Sequence, residues 1–352
     1  MGLKAATQRA LWTASARMPR AGQSGRVPRR TELNRILDYE AVRTGDRDAH
    51  GMSRERLMRG NDVEHPFWGV SSAGLDLATI EGLSLAFRPL MRPNDAISHT
   101  SAALLFGAPL PQAEPPLLPL HVTSIGTRAH RGPNLVGHEW NESLQLDVIR
   151  GIRVVAPADM WCQLSTMLSR EDFVAVGDFL VSGVPAEGRN VRTVPCCNIA
   201  ELRDAVRRHG RRAGARKLAW AIERVRVGVD SRPETILRLL LVAAGLPEPL
   251  VNDPVRVADG KSYKPDLKHK LWRTLYEYEG LLHLRSPKQW RFDTWRYQQF
   301  EAVGWKVIRV NADHLFVDPV GFLRFVYATL HRRAHELGVA PPSSGPRWLV
   351  SA

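Results

Sequence analysis

Asp266 and Glu277 have the types and spacing for metal-assisted chemistry. They lie in two short segments, Lys264-Pro-Asp-Leu267 and Leu275-Tyr-Glu-Tyr-Glu-Gly280, on either side of a basic tip from His269 to Arg273. A hairpin with its turn centred between Leu271 and Trp272 sets Asp266 opposite Glu277. Alternation along the strands puts Glu277 and Glu279 on one face and Tyr276 and Tyr278 on the other, with Lys264 and Lys268 on the face of Asp266. Three acids on one face of a central sheet repel one another unless a divalent cation neutralises them, and hard carboxylate oxygens suit Mg2+ or Mn2+. Such an ion activates a water and stabilises the charge that develops on a phosphodiester during hydrolysis. The competing reading pairs these acids with the nearby lysines on an exposed face.

Two further residues belong to this neighbourhood. Glu234 lies in Ser231-Arg-Pro-Glu-Thr235, ahead of the apolar run Ile236 to Val242. Locally it is a capping-box glutamate answering Ser231, with Pro233 in the first turn, yet a helix leading into the sheet can also turn this carboxylate toward a metal. His283, just beyond Gly280, is a candidate general acid or base near neutral pH, or a surface residue beside a turn.

The elements that must position these residues follow Gly228. The pattern reads as a helix over Pro233 to Ala244, a strand over Pro249 to Val257, and a hairpin of Tyr263 to Leu267 with Thr274 to Tyr278. A helix over Pro287 to Val303, a strand over Trp305 to Val310 and a helix over Pro319 to Glu336 complete it. A Pro/Ser-rich tail begins at Pro341. Upstream, the middle is mainly helical, with expected helices over Thr31 to Tyr39, the run from Ile97 that ends at Gly107, Pro157 to Leu168, Asp172 to Val181 and a stretch over Glu201 to Val227. Strands at Leu120 to Ser124 and Gly151 to Val155 suggest a small sheet. His121, His130 and His138 fall nine and eight residues apart, unlike the short spacings of a metal site, and read as surface or packing residues.

Charge points to a polyanionic partner. The 352 residues carry 49 Lys and Arg against 36 Asp and Glu, a net +13, which reads as affinity for a polyanion such as nucleic acid or as a solvated basic surface. Nine basic residues crowd Glu201 to Val227, among them Arg207, Arg208, Arg211 and Arg212. They form either a solvated face or a row of phosphate contacts. Ser53 can cap a short helix on which Arg54, Arg56 and Arg59 surround Leu57, either the second helix of a winged helix-turn-helix or a charged surface helix before a strand. The first 30 residues hold seven basic residues and no acid, which reads as a flexible basic arm or a transit peptide. Three cysteines, two of them adjacent, make neither a disulfide framework nor a spaced zinc site, so a reducing cytoplasm is expected. No apolar run approaches the roughly 20 residues of a membrane-spanning helix, and no membrane partner is expected.

Taken in order, Glu234, Pro265-Asp266, Glu277-Tyr-Glu-Gly280, His283, Asp293 with Arg296, and Gly304-Trp-Lys-Val-Ile-Arg-Val310 resemble a bacterial domain family related to very-short-patch-repair endonucleases, a branch of the PD-(D/E)XK nuclease superfamily. The resemblance spans about Ser231 to His331. It implies a helix, a β-hairpin meander, a second helix and another strand around a Mg2+ site, with Asp266 and Glu277 as metal-binding acids and Glu234 and Glu279 as helpers. The superfamily's lysine falls at position 279, here a glutamate, which leaves Lys264 or His283 to orient the water. More weakly, the upstream region is similar to an AbiEi-type antitoxin region through Met52 to Val70, Ser98-His-Thr-Ser-Ala-Ala103, Leu120-His-Val-Thr123 and Gly151-Ile-Arg-Val-Val-Ala-Pro-Ala158. That similarity implies a DNA-binding winged helix, abbreviated here, and transcriptional control with a toxin partner.

The expected fold class is α/β: a mainly helical front half with a small sheet, then a restriction-endonuclease-like α/β core. The expected layout is a basic arm at 1–30, an antitoxin-like region at 31–227, a nuclease-like domain at 228–340 and a tail. The expected function is DNA-binding, Mg2+- or Mn2+-dependent cleavage of duplex DNA. Its rivals are a regulator or antitoxin with an inactive nuclease fold, and an RNA-directed protein.

Overall fold

The computed structural model describes residues 40–51, 53–111, 117–142, 144–184, 192–280, 287–343 and 345. The basic arm, the helix expected at Thr31 to Tyr39, His283 and most of the tail lie outside the described residues. The fold is mixed α/β with several small sheets. No helix among the described residues is long and apolar enough to cross a membrane.

Among the described residues the first element is β1 (Val42–Arg43), which pairs antiparallel with β2 (Val70–Ser71) across an excursion that holds α1 (Arg54–Arg59). The Ser53 hydroxyl caps α1 by accepting from the Arg56 amide, and Leu57 turns into the protein and is fully buried. Next come α2 (Ile80–Phe87), β3 (Asp95–Ile97), α3 (His99–Leu105), β4 (Leu120–Ile125), β5 (Leu135–Trp140), β6 (Leu146–Ile149) and β7 (Ile152–Val155). The five strands form one sheet in the order β5-β4-β3-β7-β6, in which β4 with β5 and β3 with β7 run parallel. On it α3 packs against β4 and β7; α4 (Pro157–Gln163) packs with α3, α5 (Arg170–Ser182) and α6 (Ile199–His209), and α7 (Ala215–Ile222) with α5 and α6, around a core in which Trp161 stacks on Phe173 at 4.5 Å. The single helical stretch expected over Glu201 to Val227 is therefore two helices. Gly210 and Gly214 interrupt it with φ of 62° and 87°, a backbone that L side chains rarely adopt.

The last third starts with α8 (Arg232–Ala243), followed by β8 (Leu250–Val251), β9 (Val255–Arg256), β10 (Ser262–Tyr263), β11 (Leu267–His269), β12 (Thr274–Tyr278), α9 (Pro287–Ala302), β13 (Lys306–Val310), α10 (Ala312–Phe316) and α11 (Pro319–Leu337). Its main sheet has the order β13-β12-β11-β8, antiparallel from β8 to β12 and parallel between β12 and β13. Both faces of β12 are covered: Tyr276 packs with Leu237, Ile308 and Leu323, while Leu275 packs with Phe300, Val255 and Val307.

A buried ion pair joins α8 to α5. The Arg238 guanidinium meets Asp178 at 2.9 Å with both side chains essentially inaccessible, and Asp178 also accepts from the Thr235 hydroxyl at 2.8 Å and the Arg226 amide at 2.7 Å. Burial pushes the Asp178 carboxyl up to about 6 even against the pull of Arg238 and these donors.

Candidate functional site

The hairpin pairs Leu267 with Tyr276, Lys268 with Leu275 and His269 with Thr274. This is the register expected for a turn between Leu271 and Trp272, and its next step sets Asp266, immediately before β11, against Glu277. Asp266 accepts the Tyr278 amide at 2.7 Å, which ties it to the partner strand. Glu277 is only 2% exposed. One of its oxygens accepts from Arg296 at 2.9 Å, and the other, Oε1, is buried with no hydrogen-bond partner among the described residues. Glu234 is buried as well, with its carboxylate accepting the Ser231 hydroxyl at 2.8 Å and the Asp230 amide at 3.0 Å. The cap and the approach to the sheet thus coexist in one residue.

Electrostatics tie the three acids together. Burial, and then the negative charge of Asp266, raise the carboxyls of both Glu234 and Glu277 well above the ordinary carboxylate range; Arg296 opposes this at Glu277, and the Asp230 and Ser231 donors oppose it at Glu234. The reading in which the hairpin acids pair with lysines on an exposed face does not hold for Glu277, which is buried and paired with Arg296, or for Glu279, whose cation is Arg309. Lys268 sends its amine to Asp253 and the Pro254 carbonyl instead. Arg296 reaches Glu277 from α9, with Asp293 at 3.5 Å and the Lys264 carbonyl at 3.1 Å as further partners. The signal for it was the Asp293 to Arg296 spacing, which puts both side chains on one helix face.

The other candidate residues are more dispersed. Glu279 is half-buried, and its two oxygens accept from Nε and Nη2 of Arg309 on β13. Lys264 is exposed. Arg56 forms a bidentate pair with Asp62, Arg59 pairs with Glu55 at 3.1 Å, and Arg54 is exposed. Arg208 turns to Asp159 at 2.8 Å; Arg212 pairs with Glu142 and lies over the Trp140 ring at 4.9 Å. Arg207 pairs with Asp204 on its own helix, and Arg211 is exposed. Half of the four arginines thus serve packing, while Arg203 and Arg207 of α6, Arg211 just beyond it and Arg216 of α7 are exposed.

Sequence spacing missed a second cluster. His99, His121 and His138 bring a ring nitrogen each to within 4.8 Å of one another, whereas His130 leaves for Asp95 at 2.6 Å. The separation of His121 from His138 along the chain is irrelevant because β4 and β5 run side by side. Thr123 is opposite His138, so His121 and His138 share one face of neighbouring strands. His99 closes over them from the start of α3, its ring stacked on His138 at 3.6 Å between centroids. Burial, reinforced by repulsion from the other two rings, pushes the His99 imidazole down to about 2, and burial with repulsion from His121 pushes His138 down to about 4. All three are neutral imidazoles near pH 7, the protonation state that ligates metals.

No family model matches the chain, and no solved structure matches it. It is similar to two curated proteins of Mycobacterium tuberculosis, from strains CDC 1551 / Oshkosh and ATCC 25618 / H37Rv, both described as uncharacterized. Each is 24% identical over 204 residues, covering 57% of this chain and 69% of the relative.

Proposed function

We propose that this chain is a DNA-binding, metal-dependent endonuclease-like protein that hydrolyses phosphodiester bonds, with its reactive centre at Asp266, Glu277 and Glu234. The observation that carries the reading is the buried Oε1 of Glu277, opposite Asp266 and without a hydrogen-bond partner among the described residues. A buried carboxylate oxygen without a donor is costly unless a proton or a cation completes it. Oxygen donors of this kind suit Mg2+ or Mn2+, and an ion held there would supply water activation and charge stabilisation. In support, α8, the antiparallel strands up to β12, α9 and the parallel strand β13 follow the order that the resemblance to very-short-patch-repair-related nucleases implies.

The chain's own residues then have distinct tasks. Arg296 holds Glu277 in place, Ser231 and the Asp230 amide orient Glu234, and the Tyr278 amide orients Asp266. Arg309, drawn to Glu279, brings a cation next to the position where the superfamily carries its lysine. The net charge of +13 and the exposed arginines Arg203, Arg207, Arg211 and Arg216 fit a polyanion, with duplex DNA in the cytoplasm as the partner of choice. The antitoxin-like front half, with α1 as its helix for DNA and a toxin as its partner, would direct where cutting occurs.

One observation favours the rival, a non-catalytic regulator. Arg296 already supplies a positive charge to Glu277, so the fold can be maintained without an ion. A cleavage assay with Mg2+ or Mn2+ on plain, nicked and mismatched duplex DNA, with single-stranded RNA in parallel, decides between them. Cleavage that disappears in Asp266→Asn and Glu277→Gln while DNA binding persists is the expected result. A parent that takes up neither ion and cuts no substrate leaves the regulator.

A further inference from the structure

The face of β4 and β5 carries a second concentration of donor atoms, chemically unlike the first. Three imidazoles converge there from three elements, His99 at the head of α3, His121 on β4 and His138 on β5. Their backbone is fixed by polar contacts on every side. The His99 amide donates to Gln163 at 3.3 Å, Gln163 in turn donates to Thr123 at 3.2 Å, the His121 amide donates to the Ser101 hydroxyl at 2.9 Å, and the Ser98 amide donates to the His121 carbonyl at 2.9 Å. His99 also sits at φ of 50°, in the left-handed region that non-glycine residues seldom adopt and histidine adopts more often than most. In this conformation its ring stacks on His138, and its Nδ1 is 3.0 Å from the Ser98 hydroxyl, which leaves Nε2 as the ligating atom.

We propose that His99, His121 and His138 form a binding site for a late first-row transition-metal ion, with Zn2+ as the preferred occupant, independent of the acid site. Imidazole nitrogen suits Zn2+ and its neighbours in the series and does not suit Mg2+. Ligand nitrogens of a tetrahedral zinc site lie about 3.3 Å apart, given Zn–N bonds of about 2.0 to 2.1 Å. The three nitrogens here are all within 4.8 Å, and His121 Nδ1 and His138 Nε2 are already 2.9 Å apart. The ion would replace the proton those two nitrogens share. Three protein ligands leave a fourth position for water or an added donor, the pattern of open zinc sites.

The test uses the full chain, stripped with a chelator and titrated with Zn2+ and, separately, with Mg2+ by isothermal titration calorimetry. One Zn2+ per chain is expected, with Asp266→Asn and Glu277→Gln leaving its affinity unchanged. Loss of supporting contacts alone costs metal sites about 10- to 100-fold, so His121→Gln and His138→Gln, each losing a ligand, should weaken Zn2+ by more than about 100-fold. Co2+ substitution of the parent provides a readout that needs no variant: ligand-field bands without thiolate charge transfer, and unchanged in Cys196→Ser/Cys197→Ser. Absence of Zn2+ uptake, undiminished affinity in the folded histidine variants, or a thiolate band in the Co2+ form would each overturn the site.

Discussion

Arg296→Gln separates the two roles open to Glu277. In the parent, the guanidinium donates to Glu277 at 2.9 Å with Asp293 at 3.5 Å, and the Arg296 and Glu277 side chains are 17% and 3% exposed. Removing one partner from a buried pair costs about 3 to 5 kcal/mol, because the remaining charge has no counter-charge; the residual exposure of Arg296 places the expected loss toward the lower end. The sign with pH follows from Glu277, whose folded carboxyl already lies above the ordinary 4.5 and rises further without Arg296. A raised folded value means stability that is fully present below the unfolded value and is lost as pH rises through the folded one. The deficit of Arg296→Gln against the parent should therefore be small at acidic pH and should grow toward neutrality. Urea unfolding at several pH values measures it. Added Mg2+ should recover part of the loss if Glu277 is a metal ligand, and Glu277→Gln combined with Arg296→Gln should cost less than the sum of the singles. A loss below about 1 kcal/mol at every pH would refute the dependence of Glu277 on Arg296.

Two further outcomes are expected. Reversing Arg203, Arg211 and Arg216 to Glu, which leaves the inward pairs of Arg208 and Arg212 intact, should weaken duplex binding on all sequences alike. The slope of log affinity against log salt should fall by about 0.9 for each phosphate contact removed, and an unchanged slope would make these arginines a solvated face. For Asp178, held at about 6 against an ordinary 3.8, ionisation in the folded state costs about 3 kcal/mol. The parent should lose that contribution as pH rises from 3.8 through about 6, and Asp178→Asn should flatten this part of the urea-unfolding profile; an unaltered profile would contradict the assignment.

The acid hairpin was legible because its information is local. A basic tip between alternating segments fixes a two-stranded register, and once the turn is centred between Leu271 and Trp272 the facing of Asp266 and Glu277 follows from geometry. Ser231, Pro233 and Glu234 announce the start of α8 in the same way, through capping that acts within one turn. In the front half, β4 and β7 carry alternating apolar residues and were readable, as was the Ser53 cap of α1. In contrast, β5 buries no residue fully, and β6 is largely exposed, so neither offers the apolar alternation that marks a strand.

What sequence spacing hid is decided by pairings between distant segments. His121 and His138 are neighbours only because β4 and β5 run parallel, and His99 joins them only because α3 begins just beyond the central strand β3, where the Ser98 amide donates to the His121 carbonyl. A metal search based on short spacings assumes that one turn or one loop supplies two ligands; here each ligand comes from a separate element. The same limitation concealed the bridge between the two halves. Residues 234, 235 and 238 of α8 look like a cap followed by an amphipathic run, yet Thr235 and Arg238 hold Asp178 on α5 while the carboxylate of Glu234 lies in the field of Asp266. One helix thus carries the ion pair that joins the halves and an acid of the candidate site, so a displacement of α8 relative to α5 acts on both. That link rests on a buried charge and its donors, which only the folded chain brings together.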